Sequence, residues 1–95
     1  MRSKPPSESD GVRTLVVVLD PGDEAFRSIS DFAAAESIAA AAVTAISVFE
    51  SATVGWFDFA SKTYRWIPLA AQCEVLSAIG DIAAGDDGKP SLHLH

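Results

Sequence analysis

The feature that most constrains the fold is the presence of only one segment with the periodicity of an amphipathic helix, residues 23–36. Its apolar positions share one helical face: Ala25, Phe26, Ile29, Phe32 and Ala33. Asp23 and Glu24 stand at its start, where the helix macrodipole favours negative charge. We therefore predict one helix here, which ends near Glu36 or Ser37.

The alanine-rich segment after this helix has two local interpretations. No Gly or Pro interrupts the chain between Asp23 and Val54, so one long helix would be locally acceptable. From Val43 onward, however, β-branched residues dominate, and these favour strands over helices. We predict a strand over residues 41–49.

The remaining apolar segments have the character of strands. Thr14–Leu19 is a continuous β-branched run closed by Asp-Pro-Gly, which predicts a strand covered on both faces. Residues 52–59 and 63–69 predict a hairpin around "ASK", with Pro68 confining the second arm to a sheet edge. "CEVLSAIGDIA" predicts a strand with a bend or bulge at Gly80, and "PSLHLH" predicts the last strand.

This order predicts an α+β fold, a mostly antiparallel sheet of about six strands with one main amphipathic helix packed on it. The domain is expected to span residues 14–95. Residues 1–13 are polar, contain two prolines and lack an apolar run, so we expect a disordered N-terminal arm. A domain this small buries little surface, and oligomerisation would add stability.

Charge and composition exclude several classes of function. The net charge is −6, with thirteen acidic and seven basic residues, which disfavours binding to phosphate backbones and anionic membranes. The single cysteine, Cys73, excludes an intrachain disulfide. No apolar signal core or membrane-length segment is present, so a cytoplasmic location is expected.

Three stretches resemble the PPC family, the plants and prokaryotes conserved domain: "LDPGDEAFRSISDFAAAESIAAAAVTAI", "ATVGWFDFASKTYR" and "EVLSAIGDIAAGDDGKPSLHLH". They are similar, in order, to the family's Pro-Gly turn and helix, its aromatic hairpin of the "GYYDPETKEY" type, and its "EVLSLIGDIA" strand with a "DGKP–H–H" stretch. The resemblance covers residues 14–95.

The resemblance implies an α+β homotrimer. In plants the domain accompanies AT-hook DNA-binding motifs, and prokaryotic members often stand alone and are described as DNA-binding. It thus implies a trimeric assembly module, within a DNA-associated regulator. No Arg-Gly-Arg-Pro AT-hook is present here. The resemblance therefore assigns DNA binding to no particular residue of this chain. The chain is also expected to lack the family's C-terminal strands and the third histidine of its cluster.

His93 and His95 are the candidate metal ligands. At i and i+2 on a strand they project from one face, where two imidazoles can chelate zinc or another divalent transition ion. A third ligand would come from Asp81, Asp86 or Asp87, from a neighbouring subunit, or from further sequence. The resemblance points the same way, since some family members hold a metal through histidines near a subunit boundary. The alternative is a solvent-facing strand that contains two histidines.

The candidate interface consists of the hairpin aromatics: Trp56, Phe57, Phe59, Tyr64 and Trp66. Aromatic strands on a small domain are typical of an association surface, and we expect this surface to come from the hairpin and the "EVLSAIGDIA" strand. Stacking of nucleobases is disfavoured because Lys62 and Arg65 are the only nearby cations.

No residue pattern indicates catalysis. Neither a Gly-x-Ser-x-Gly turn nor a phosphate-binding glycine motif occurs. Cys73 has no partner motif, which predicts a buried, inert thiol, and "GDDGKP" predicts a turn rather than a calcium loop. Three hypotheses remain: a homotrimeric assembly module without a cofactor, an intersubunit metal site acting on or sensing a small molecule, and a truncated or degenerate family member without activity.

Overall fold

The computed structural model describes residues 1–95 and contains one helix and nine strands. In chain order the elements are β1 (Arg2–Ser3), β2 (Ser7–Ser9), β3 (Val12–Thr14), β4 (Val17–Val18), α1 (Ala25–Ala35), β5 (Ala40–Phe49), β6 (Ala52–Asp58), β7 (Thr63–Leu69), β8 (Cys73–Ala84) and β9 (Pro90–Leu94). Strands β5, β8 and β9 form one sheet in the order β5-β8-β9, and β1-β4, β2-β3 and β6-β7 form separate pairs. All pairing is antiparallel. The predicted α+β class is confirmed, with nine strands rather than about six.

The N-terminal segment differs from the predicted disordered arm. Strands β2 and β3 form a hairpin whose two turn residues, Asp10 and Gly11, have φ of 54° and 78°. Asp-Gly with both residues at positive φ is the preferred two-residue hairpin turn, because its twist matches that of the strands. Every residue from Met1 to Thr14 is nevertheless exposed.

The strand predicted over residues 14–19 is divided in two. Residue 14 ends β3, and the chain resumes strand pairing only at Val17–Val18, opposite β1. Val16 and Val18 are exposed, so this apolar run is not covered on both faces within the chain.

Helix α1 starts and stops through local hydrogen bonds. The Glu24 carboxylate caps its start by accepting from the backbone N–H of Arg27 at 2.6 Å. At its end Ser37 adopts a left-handed φ of 54°, and the N–H of Ile38 donates to the Ala33 carbonyl at 2.9 Å. This is a Schellman motif. The predicted end near Glu36 or Ser37 is confirmed.

The core lies between α1 and one face of the three-stranded sheet, which we call the inner face. Only Ala33, Ile82 and Leu92 are buried. Ile82 occupies the central strand, paired with Ala41 on one side and Leu92 on the other. Half-buried apolar residues surround them: Ile29, Ile38, Ala41, Val43 and Leu94.

The predicted strand at residues 41–49 is confirmed as β5, and its ladder with β8 contains one irregularity. The register shifts between Ala45 and Ser47, which places Leu76 and Ser77 together opposite Ile46. The irregularity was expected at Gly80, where the pairing is regular. Gly80 instead faces the close approach of β9, since a Cβ there would lie 2.9 Å from the carbonyl carbon of His93.

The predicted hairpin is confirmed as β6 and β7, which pair from Ala52↔Leu69 to Asp58↔Thr63. Phe59 belongs to the turn rather than to the first arm, and Lys62 closes the turn at a φ of 56°. Strand β7 pairs only with β6, so Pro68 lies on an edge strand as predicted.

Candidate assembly surface and histidine site

The hairpin β6–β7 projects from the rest of the molecule. Every residue of β7 is exposed, and the molecule is elongated, with extents of 42 × 32 × 20 Å. The hairpin leaves the three-stranded sheet where Phe49 pairs with Cys73. An isolated two-stranded hairpin is marginally stable in water, so this element requires further contacts.

Four of the five predicted interface aromatics form one continuous surface on the hairpin. Phe57 and Tyr64 are cross-strand partners whose ring centroids lie 5.5 Å apart, edge to face. Tyr64 and Trp66 stack at 5.4 Å, and Phe57 meets Phe59 at 5.4 Å. We call Phe57, Phe59, Tyr64 and Trp66 the aromatic face; all four are exposed, from 41% to 84%.

The fifth aromatic, Trp56, lies on the opposite face of the hairpin. It pairs with Arg65, and alternation along the strand separates it from Phe57. Trp56 is 51% exposed. The residues predicted as one interface therefore occupy both faces of the hairpin.

The hairpin turn is fixed by Asp58. Its Oδ1 accepts from the backbone N–H of Ala60 at 2.9 Å, and its Oδ2 accepts from Arg65 Nε at 3.1 Å. The bond from Ala60, with a smaller contribution from the Arg65 guanidinium, holds the pKa of Asp58 below its usual value. The negative form of Asp58 therefore stabilises the turn.

A second uncovered apolar surface lies on the three-stranded sheet. The face opposite α1, which we call the outer face, presents the exposed residues of β5 and β8: Ala40, Ala42, Thr44, Ile46, Val48, Glu74, Leu76, Ile79, Asp81 and Ala83. Ile46 and Leu76 are 85% and 86% exposed. The sequence predicted the β8 part of this surface but not the β5 part, although β5 is apolar on both alternating sets, and that pattern is typical of a strand covered on both faces.

The predicted metal ligands lie on the outer side of β9. His93 pairs with Asp81 across the ladder, and His93 Nδ1 lies 3.3 Å from Asp81 Oδ1. His95 exchanges backbone hydrogen bonds with Ile79. No three His, Cys, Asp or Glu side chains converge on one point, so a metal at His93 and His95 would need a donor from beyond this chain.

The other candidate ligands serve the turn between β8 and β9. Asp87 accepts from the backbone N–H of Lys89 at 3.0 Å, and Gly85 N–H donates to the Lys89 carbonyl at 2.8 Å. These bonds make the "GDDGK" segment a hairpin turn.

Cys73 is half-buried, and its thiol donates to the Ala71 carbonyl at 2.9 Å. No basic group pairs with its sulfur among the hydrogen bonds and ion pairs of the structure. Nothing in this arrangement activates it as a nucleophile.

No helix of the structure has the length and apolar character that crossing a membrane requires.

Comparison with known proteins points to one family. The family model described as the Plants and Prokaryotes Conserved (PCC) domain matches residues 6–95. No curated protein matches the chain.

Two crystal structures resemble this chain. A metal-containing protein from Archaeoglobus fulgidus is 34% identical, with a TM-score of 0.74. A plant- and prokaryote-conserved (PPC) protein from Pyrococcus horikoshii is 30% identical, with a TM-score of 0.75. Each match covers 80% of this chain, and 54% and 52% of the respective relative. The chain therefore spans about half the length of these relatives.

Proposed function

This chain belongs to the Plants and Prokaryotes Conserved domain family, and from that premise we propose that it is a self-association module whose assembled form is a homotrimer. The observation that carries the proposal is the imbalance between three buried residues and two uncovered apolar surfaces, the aromatic face and the outer face. Contiguous apolar surfaces of this kind mark association sites. Aromatic residues are enriched in such interfaces.

Energetics support association as the role of these surfaces. A core as small as the Ala33, Ile82 and Leu92 cluster contributes little stability. Fully burying one large apolar side chain contributes roughly 1.5–3 kcal/mol. Covering several exposed rings and aliphatic side chains therefore stabilises the assembly more than the separate chain.

Substitution of the aromatic face tests this proposal. The double variant Tyr64→Ser/Trp66→Ser removes two stacked rings from the hairpin and is expected to dissociate the assembly in sedimentation velocity. Val12→Ser is the matched control, because Val12 is 64% exposed on the N-terminal hairpin. It should sediment like the parent chain.

Two outcomes would contradict the proposal. A double variant with unchanged sedimentation would show that the aromatic face is not an association surface. A heterogeneous aggregate of the parent chain would favour the reading of an incomplete family member without a defined assembly.

The family resemblance supports a role of such a module within a DNA-associated regulator, whereas the charge of −6 argues against direct DNA contact by this domain. We expect no sub-micromolar affinity for duplex DNA at about 150 mM salt. Fluorescence anisotropy with labelled duplex measures it. Sub-micromolar binding of duplex DNA at about 150 mM salt would show that the domain itself contacts DNA.

An alternative function is a metal site near a subunit boundary, acting on or sensing a small molecule. It is favoured by the 3.3 Å approach of Asp81 to His93 Nδ1, since a carboxylate beside one ring nitrogen orients the other toward a metal. One similar protein is described as metal-containing. A bound zinc or similar ion would supply Lewis acidity, and His93 and His95 would hold it with a donor from another copy.

Metal analysis of the purified chain separates the two functions. The metal alternative predicts a stoichiometric transition metal that is lost in His93→Ala and His95→Ala and kept in Asp87→Asn, a turn variant. Metal below about a tenth of an equivalent, unchanged by His93→Ala, would eliminate the metal site.

A further inference from the structure

We infer that the aromatic face of one copy docks on the outer face of the three-stranded sheet of a second copy. This head-to-tail contact joins two different surfaces, and it rests on the proposed self-association. The occupant is a second copy of this chain because each chain carries both surfaces and leaves both uncovered.

The hairpin does not cover its own sheet. Residues 50–51 join β6 to β5, and residues 70–72 join β7 to β8. These short connections anchor the hairpin at the end of the sheet where Phe49 pairs with Cys73. Ile46 and Leu76 are 85% and 86% exposed, so the hairpin leaves the outer face of its own chain open.

Size complementarity favours this pairing of surfaces. The aromatic face is built of large rings, whereas the half of the outer face beyond Ile46 and Leu76 carries small side chains beside Ile79 and Asp81: Ala40, Ala42, Thr44 and Ala83. Facing layers pack best when large residues on one side meet small residues on the other. Ring-on-ring contact of two hairpins would leave the shallow sheet surface uncovered.

The distribution of charge favours contact between hairpin and sheet over contact of hairpin with hairpin or of sheet with sheet. Arg65 pairs with Asp58 on the face opposite the aromatic face, which leaves Lys62 in the turn as the unpaired cation of the hairpin, whereas β5, β8 and β9 carry the acids Glu74 and Asp81 and no lysine or arginine. Hairpin-to-sheet contact joins opposite charges. Sheet-to-sheet contact would bring four carboxylates together, and like charges at an interface oppose association.

A contact between two different surfaces closes into a ring when the rotation allows it. Each copy then gives its hairpin to one neighbour and receives the hairpin of another. A two-fold pair in which each hairpin covers the sheet of the other copy would match the same two surfaces, and the mass of the assembly distinguishes that pair from a ring.

Cross-linking of mixed copies tests the inference. In a Cys73→Ser background, Tyr64→Cys marks the aromatic face and Ala42→Cys marks the outer face. The two variants are co-expressed with different tags and treated with a short bismaleimide. The expected product is a covalent pair that carries both tags, and neither variant expressed alone should cross-link.

Two results would overturn the inference. Cross-linking of Tyr64→Cys alone, with no mixed product, would show hairpin-to-hairpin contact. An assembled protein without any mixed product would also reject the inference while leaving self-association intact. A Cys73→Ser chain that sediments as a monomer would instead reject the proposed function.

Charge reversal provides an independent readout without cysteines. Lys62→Glu and Glu74→Lys should each weaken self-association about fivefold, as expected for an exposed charge pair, and the double variant should recover part of that loss. Asp31→Lys, on an exposed position of α1, is the control and should leave association unchanged. If the losses of self-association affinity simply added in the double variant, the contact between Lys62 of one copy and Glu74 of another would be contradicted.

Discussion

The indole of Trp66 lies over the backbone of Gly55, its cross-strand partner in the β6–β7 hairpin. A Cβ on Gly55 would come within 2.6 Å of Trp66 Cε3, closer than carbon atoms pack. The missing side chain therefore provides the space in which Trp66 stacks on Tyr64 at an interplanar angle of 19°.

Gly55→Ala should displace the Trp66 ring and disturb the aromatic face. We expect a loss of about 1 kcal/mol in stability, at the low end for overpacking because the ring lies at the surface. The near-UV circular dichroism of the stacked rings, recorded in a Trp56→Phe background, should fall. Thr53→Ala, two residues away on the same strand, is the control, and an unchanged spectrum in Gly55→Ala would reject the packing relationship.

The hairpin turn should weaken in acid through Asp58. Its pKa is lowered in the folded chain by the Ala60 N–H and by Arg65, so its contribution is present above the unfolded value of about 3.9. That contribution is lost as the pH falls through the lower folded pKa.

Thermal unfolding at a series of pH values measures this effect. Asp58→Asn should flatten the decline in the unfolding midpoint at acid pH, whereas Asp31→Asn, whose side chain makes no ion pair in the structure, should not. A parent-like pH profile in Asp58→Asn would contradict the role of the carboxylate.

The helix terminus offers a stabilising substitution. Ser37 closes the Schellman motif at a φ of 54°, a conformation that disfavours residues with a Cβ. Ser37→Gly should raise the free energy of unfolding by about 0.5–1 kcal/mol, measured in urea. Ser37→Ala keeps the Cβ and should give no gain; equal stabilisation by both variants would indicate another cause.

The small core makes the fold sensitive to one residue of β8. Ile82 is 6% exposed and contacts the strands on both sides. Ile82→Ala should cost about 2–5 kcal/mol, while Val12→Ala at an exposed site should stay within about 0.5 kcal/mol. A small loss of unfolding free energy in Ile82→Ala would show that the core lies elsewhere in the assembled protein.

Periodicity predicted those elements that have strong local signals. Helix α1 follows from its apolar face and its acidic start, and β5 follows from the β-branched residues after Val43. The helix end was harder to place because Ser37, not glycine, adopts the left-handed conformation. Only the change from alanine to β-branched residues, from Val43 onward, indicated that the helix stops before this segment.

The remaining features depend on information that periodicity does not carry. The hairpin β2–β3 depends on an Asp-Gly turn within a polar, proline-containing segment, where composition favoured disorder. The irregularity at Leu76 and Ser77 carries no glycine, whereas Gly80, which does, lies in regular pairing. Interface residues were predicted by type, but strand alternation placed Trp56 on the opposite face.

The candidate histidine site was located only in part by the sequence. The i and i+2 spacing of His93 and His95 predicted a shared strand face. The neighbour of His93 is Asp81, which lies twelve positions earlier and is brought there by the register of β8 and β9. Asp86 and Asp87, closer in sequence, belong to the connecting turn.

Light scattering coupled to size-exclusion chromatography tests the central claim most directly. The claim is that apolar surfaces left uncovered in one chain are contacts between copies. For a chain of 10.0 kDa we predict a single species of about 30 kDa, the mass of a closed three-membered ring. A monodisperse species of 10.0 kDa across a wide range of concentrations would contradict the account.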